Sequence, residues 1–243
     1  MGVNFPDMIY NSIILISVFN FVYMYTIPVF THIYNLKFVF PIGFIKLTDH
    51  YLNLHIPGQP KRNEILNCYS SILHASILLV SSILYVYHFI GLETYQIALN
   101  YSIVYNTLDI FTVINSNSRI KIQLICHHIM VVVSMTIPYI TPIPDNYYYY
   151  IALNLFSETT TVPLNLSWIL YIQNKTNTPI YKFYMISTLV LYLPFRVLLN
   201  TYIFYDMYYN MDSMFKYCEV LIMVLNYFWF YKLCRKAYSI SLN

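Results

Sequence analysis

Charge and glycine are what this 243-residue chain has least of. Only 9% of its residues are charged and 58% are hydrophobic, where an ordinary soluble domain is roughly a quarter charged. With a mean hydropathy of +0.54, these proportions exclude a water-soluble globular domain and imply an integral membrane protein. Glycine stands only at positions 2, 43, 58 and 91, so neither a dinucleotide fingerprint nor a Walker loop can be written. The cysteines Cys68, Cys126, Cys218 and Cys234 show no C-x-x-C spacing and lie in or beside apolar runs. A disulfide framework or a structural zinc site is therefore not expected, and no metal is implied. The net charge is only +3 and the basic residues are dispersed, which excludes a nucleic-acid-binding surface. Asp7 is the only charge before the first apolar run, and no small-residue cleavage site follows that run, so a removable signal peptide is not expected.

What the chain has instead is long apolar runs. A bilayer core requires roughly 20 residues of helix, and seven segments meet that requirement, at 9–30, 65–90, 95–114, 122–140, 148–172, 183–204 and 214–233. The expected fold is all-α, a multi-pass transmembrane bundle of about seven spans. Its organisation is a first span and a mixed, partly interfacial loop over 1–60, a six-helix domain over 61–236 and a short tail over 237–243. The positive-inside rule tests this count. With the N-terminus outside, the inner loops and tail collect Lys37, Lys46, Lys61, Arg62, Arg119, Lys121, Lys175, Lys182, Lys232, Arg235 and Lys236, the outer loops only Lys216, and Arg196 stays in the membrane. An outside N-terminus and a cytoplasmic C-terminus follow. The sequon Asn174-Lys175-Thr176 then falls in an inner loop, and a glycan found there by mobility shift would overturn the orientation. The tetratyrosine 147–150 is expected at the outer interface, where aromatic rings settle.

Ionisable groups at membrane depth are expensive, and each is a functional-site hypothesis. The segment IQLICHHIMVVVSMTIPYI carries His127 and His128, and other spans carry His74, Asp109, Glu158, Arg196 and Asn226. At about 1.5 Å per residue, Asp109 and His127 lie at matching depth, Asn226 and His74 somewhat deeper, and Glu158 and Arg196 deep enough to pair. Adjacent histidines are about 100° apart on a helix, so the two cannot ligate one metal as i, i+4 residues would. One is expected to face the bundle interior and the other a neighbouring helix. The pattern reads as a polar shaft opening toward the cytoplasmic side. Local quenching is the plainer alternative, with Glu158 and Arg196 a structural clasp and His74 an interhelical hydrogen-bonder.

At these residues the chain resembles the TLC-domain family, which includes the ceramide synthases. The resemblance covers roughly 61–236 and rests on CHHIMVVV, on YNTLD with Tyr105 four residues before Asp109, and on SSILHAS around His74. It also rests on SETTTVPLNLSWIL with Glu158, Asn165 and Trp168, on PFR at Arg196, and on LNYFWFYKL with Asn226, Trp229 and Lys232. Ser167 stands where the family usually has arginine, Val104 where it has glycine, and Pro163 one residue later than its proline. The extra aspartates of the synthase type are missing from TPIPDNYYYY, where Asp145 stands alone. The resemblance thus implies the non-synthase branch and an endoplasmic-reticulum-type or other intracellular membrane.

Three functions compete. The first is lipid handling, in which His74, Tyr105, Glu158, Asn165, Trp168, Arg196, Asn226 and Trp229 line a polar cavity that binds, senses or alters membrane lipids. The second is an acyl-CoA-dependent N-acyltransferase, with His127 or His128 as general base and Asp109 orienting the imidazole; acyl-CoA would then be a substrate, and no cofactor is expected. A channel, transporter or receptor-like bundle ranks below both, because neither inverted repeats nor paired broken helices are evident in the sequence. Self-association is not legible.

Overall fold

The computed structural model describes residues 62–114, 121–140, 143–144, 146–210 and 215–241, all within one compact unit, Pro41–Asn243. The expected first span 9–30, the interfacial stretch before residue 61 and Asp145 lie outside the described residues. No strand occurs among those described. The helices are α1 (Arg62–Val86), α2 (Leu92–Ile114), α3 (Lys121–Ile140), α4 (Tyr147–Asn154), α5 (Thr161–Ile172), α6 (Pro179–Tyr192), α7 (Leu199–Asn210) and α8 (Phe215–Ser241). Among the described residues four stretches are long and apolar enough to cross a membrane: Glu64–Val86, Leu92–Ile114, Lys121–Tyr139 and Pro179–Tyr209.

Two of the expected spans are interrupted. Between α4 and α5 the chain tightens into a 3₁₀ segment, Leu155–Thr160. Pro163, in the first turn of α5, has no N–H to donate four residues back, so a regular helix cannot run through unchanged. Between α6 and α7 the chain widens into a π turn, Leu193–Leu198, with Leu199 N–H reaching the Pro194 carbonyl. Pro194 likewise removes one i→i−4 bond, and a π turn absorbs the misfit. The two irregular segments pack against each other. These irregular turns come from backbone geometry around single prolines, which hydropathy does not register.

With so little glycine, helix ends are closed by other residues. His88 (φ 60°) ends α1 and Asn174 (φ 58°) ends α5 in the left-handed region. After α5, Lys175 N–H reaches Leu170 O at 2.8 Å and Asn174 N–H reaches Tyr171 O at 3.0 Å, the paired bonds of a Schellman end. Asparagine tolerates this conformation better than histidine does. His88→Gly is therefore expected to stabilise the protein by about 0.5–1 kcal/mol, read as a shifted midpoint in mixed-micelle unfolding. α6 begins conventionally, with Thr178 Oγ1 accepting from Tyr181 N–H at 3.4 Å and Pro179 following.

α2 packs along α3, α1 on α5 and the 3₁₀ segment, α5 on α6, and α8 on α3 and α7. An apolar layer of Leu78, Tyr95, Leu99, Met135, Ile151, Leu155, Ile203 and Met207 fills the half of the bundle where α4 begins. Smaller clusters, Ile65, Cys68, Ile169 and Ile172, and Leu170, Tyr181 and Met185, fill the half where α1 and α6 begin. Val80, Phe111, Ile129, Ile186, Val190, Leu221 and Val224 are exposed outside, an apolar rim of the kind a bilayer covers. Lysines sit over aromatic rings near the helix ends, Lys236 on Tyr171 and Lys232 on Phe228 at one end and Lys216 on Tyr208 and Tyr217 at the other. Such basic–aromatic pairs anchor helices at headgroup level.

Residues 237–241 of the expected tail are helical, because α8 continues through Ser241. Of the tetratyrosine, only Tyr149 is exposed. Tyr147 donates to the Ser134 carbonyl, Tyr148 accepts from Gln96 Nε2 at 2.8 Å, and Tyr150 donates to Asp206 Oδ2. Three of the four thus tie α4 to α3, α2 and α7.

Candidate functional site

The polar residues of α2 form a stripe, Ser102, Asn106 and Asp109, at i, i+4 and i+7, one face of a helix. Asn106 Nδ2 donates to the Ser102 carbonyl at 2.8 Å and approaches Ser102 Oγ at 3.0 Å. This fixes the amide, so that its Oδ1 meets His128 Nδ1 at 2.7 Å. His128 Nε2 lies 2.9 Å from Asp109 Oδ2. Both ring nitrogens of His128 therefore face acceptors. On the other side of the stripe His74 Nε2 meets Ser102 Oγ at 3.1 Å, and its ring stacks on Tyr105 with centroids 3.9 Å apart. Asp109, at matching depth to His127 in the sequence, is thus bonded to the neighbouring His128.

His127, rotated 100° round α3, points into the bundle. Its ring packs edge-on against Trp229 of α8, centroids 5.4 Å apart, and its Nδ1 is buried with no hydrogen-bond partner. Trp229 Nε1 is likewise buried and unbonded.

The interrupted spans supply the opposite wall. Arg196, on the π turn and 7% exposed, donates through Nε to Thr160 Oγ1 at 2.6 Å and to the Ser157 carbonyl at 3.3 Å, and through Nη2 to Thr161 Oγ1 at 2.9 Å. Ser157 and Thr160 belong to the 3₁₀ segment, and Thr161 opens α5. Thr161 Oγ1 in turn donates to Glu158 Oε2 at 2.7 Å. By depth Glu158 and Arg196 are able to pair. They are joined through one threonine hydroxyl, because the tight turn carries the acid past the guanidinium and presents the hydroxyl in its place.

A cavity of about 50 Å³ separates the two walls, lined from α1, α2, α3, α4, α8 and the two irregular segments. His74 and Leu78 come from α1, Ser102 and Asn106 from α2, His127, Val131, Ser134 and Met135 from α3, Ile151 and Asn154 from α4, Ile222 and Asn226 from α8. Leu155, Ser157, Glu158 and Arg196 complete it. Of the residues expected in a polar chamber, His74, Glu158, Arg196 and Asn226 line it, and so does His127. Asn226 accepts from the Tyr192 hydroxyl at 3.4 Å. Tyr105 and Trp229 stand behind the lining, each against a lining imidazole.

Asn165 and Trp168 do not line it. Asn165 Nδ2 is bonded to Thr161 O and to Ser71 Oγ, tying α5 to α1. Trp168 is 45% exposed and stacks on Tyr171 on the outer surface of the bundle. The 3₁₀ segment turns 3.0 residues per turn instead of 3.6, and so rotates α5 relative to the face that regular helical spacing implies. Sequence reasoning also passed over Asn106, although its place in the α2 stripe was legible, and Asn154 and Glu219. Glu219 is 0% exposed and accepts from Asn154 Nδ2, while its other oxygen has no partner. It lies one turn before Ile222 on the face of α8 that carries Asn226. That spacing was the available signal. Among the described residues no group of three or more His, Cys, Asp or Glu is placed to hold a metal ion.

The family model for the TLC domain matches residues 8–235, which extends the similarity back over the expected first span. No curated protein and no solved structure gives a match, and the family match does not distinguish synthase from non-synthase branches. With apolar helices, a lipid-facing rim and a match over nearly its whole length, the chain belongs to the TLC-domain family of multi-pass membrane proteins.

Proposed function

We propose that the protein handles a membrane lipid, binding it, sensing it or altering membrane lipid composition, with the lipid's polar head in the cavity. The observation that supports this best is that His74, His127, Glu158, Arg196 and Asn226, from five separate stretches, line one chamber inside a bundle clad in apolar side chains. An outside N-terminus, a cytoplasmic C-terminus and an intracellular membrane accompany the reading, from the lysine and arginine distribution and the family. Ser134→Leu tests it. The substitution puts bulk into the cavity, whereas the Ser134 hydroxyl bonds only its own helix at Val131 O. Full-length wild-type protein is expected to carry about one lipid per chain in native mass spectrometry, and Ser134→Leu at least about tenfold less, a change of ~1.4 kcal/mol in affinity. Equal retention by the two proteins would sink the proposal.

A second reading, acyl transfer from acyl-CoA to an amine, draws on the division between the two histidines. His128 is engaged by Asp109 and Asn106, while His127 faces the cavity with a free nitrogen. In that reading His127 is the base, and His127→Ala lowers acyl incorporation by about 10²–10⁴-fold. Background incorporation by membranes containing either form removes it. The two interrupted spans, packed together, lend support to transport; wild-type liposomes without ion flux would dismiss it.

A further inference from the structure

The cavity limits what can enter it. At about 50 Å³ it has room for roughly four waters, each needing ~10–15 Å³ on this scale. The part of a ligand held there therefore has about four or five non-hydrogen atoms. A bare phosphate or a single hydroxymethyl group would fill the space.

Charge restricts the ligand further. Besides the two imidazoles, the ionisable side chains on the lining are Glu158 and Arg196, held near each other by the Thr161 hydroxyl. Asp109 and His128 are bonded to one another behind the wall. A phosphate would meet the Glu158 carboxylate and an ammonium the Arg196 guanidinium, at close range where effective dielectric is far below that of water.

Hydrogen bonding narrows it again. The bonds from Arg196 to Thr160, Thr161 and the Ser157 carbonyl use two of its five N–H groups, and the Tyr192 hydroxyl engages the guanidinium as well, which leaves at least two. Glu158 Oε2 takes one hydrogen bond, from Thr161, and His127 Nδ1 takes part in none. The wall thus offers spare donors beside spare acceptors. A hydroxyl, donor and acceptor at once, satisfies both.

Resting on the lipid-handling reading, we infer that the cavity selects an uncharged, phosphate-free lipid head bearing a free hydroxyl, of the diacylglycerol kind, with that hydroxyl between Glu158 and Arg196. The full-length protein is reconstituted in phosphatidylcholine nanodiscs with equal small fractions of dioleoylglycerol, dioleoylphosphatidic acid, dioleoylphosphatidylethanolamine and oleylamine, then extracted and weighed by native mass spectrometry. Dioleoylglycerol is expected to be retained at least about tenfold over the other three, ~1.4 kcal/mol of preference. In Glu158→Gln, which keeps the side chain's shape and removes its charge, phosphatidic acid retention is expected to rise about tenfold. Preferential retention of a phospholipid or the amine by the wild type overturns the headgroup assignment and leaves lipid handling standing. So does an unchanged ranking in Glu158→Gln. Retention of none of the four, with no other lipid copurifying, overturns both.

Discussion

Replacing Arg196 by methionine is expected to destabilise the bundle by about 3–5 kcal/mol, the usual effect of removing one partner from a buried charged network. The guanidinium bridges the two places where helical hydrogen bonding is interrupted, through Thr160, Thr161 and the Ser157 carbonyl. Methionine fills similar volume but leaves the Ser157 carbonyl without its guanidinium donor and the Glu158 carboxylate without its nearby cation. Arg196→Lys keeps the charge, yet an ammonium lacks the planar fork that meets Thr160 and Thr161 together, so an intermediate loss of about 1–3 kcal/mol is expected. Unfolding in mixed micelles checks both. A loss under about 1 kcal/mol for Arg196→Met would show that the two irregular turns hold together without it.

The second large effect is expected at Asp109 and His128. A double-mutant cycle of Asp109→Asn and His128→Gln should give a coupling of about 1–2 kcal/mol. A charge-assisted bond at 2.9 Å would be worth up to ~3 kcal/mol if fully buried, and the 23% exposure of the Asp109 side chain reduces that through solvent screening. Asn106→Leu, which removes the acceptor opposite His128 Nδ1, should cost a further ~1–3 kcal/mol by stranding a buried donor. If the coupling is zero within error, the pair does not hold the His128 ring, and the division of labour between the two histidines loses its basis.

How far the site was legible depends on which property each residue shows along the chain. Asp109, His74 and Asn226 were legible because depth along a helix axis follows from counting residues, and polar groups at one depth tend to meet. The choice between His127 and His128 was not, because it turns on how α3 is rotated against α2 and α8. Trp168 and Asn165 were misplaced for a related reason. Six residues of 3₁₀ helix advance roughly 120° further than six of α-helix, so faces drawn for an unbroken span do not carry across the interruption. Three tyrosines of the 147–150 run went inward because their hydroxyls found Ser134, Gln96 and Asp206, partners that lie 13, 52 and 56 residues away in sequence.

By itself the sequence determined that this is a helical membrane protein of the TLC-domain family, where its apolar segments run, and which few polar side chains are carried into them. Composition and periodicity are summed along the chain, and no distant contact alters them. Only the tertiary structure decided that Glu158 reaches Arg196 through Thr161, that His127 rather than His128 meets the cavity, and that the cavity is as small as about 50 Å³. Those outcomes depend on helix rotation and on the two interrupted turns. Both are set by side-chain packing between segments that the chain order keeps far apart.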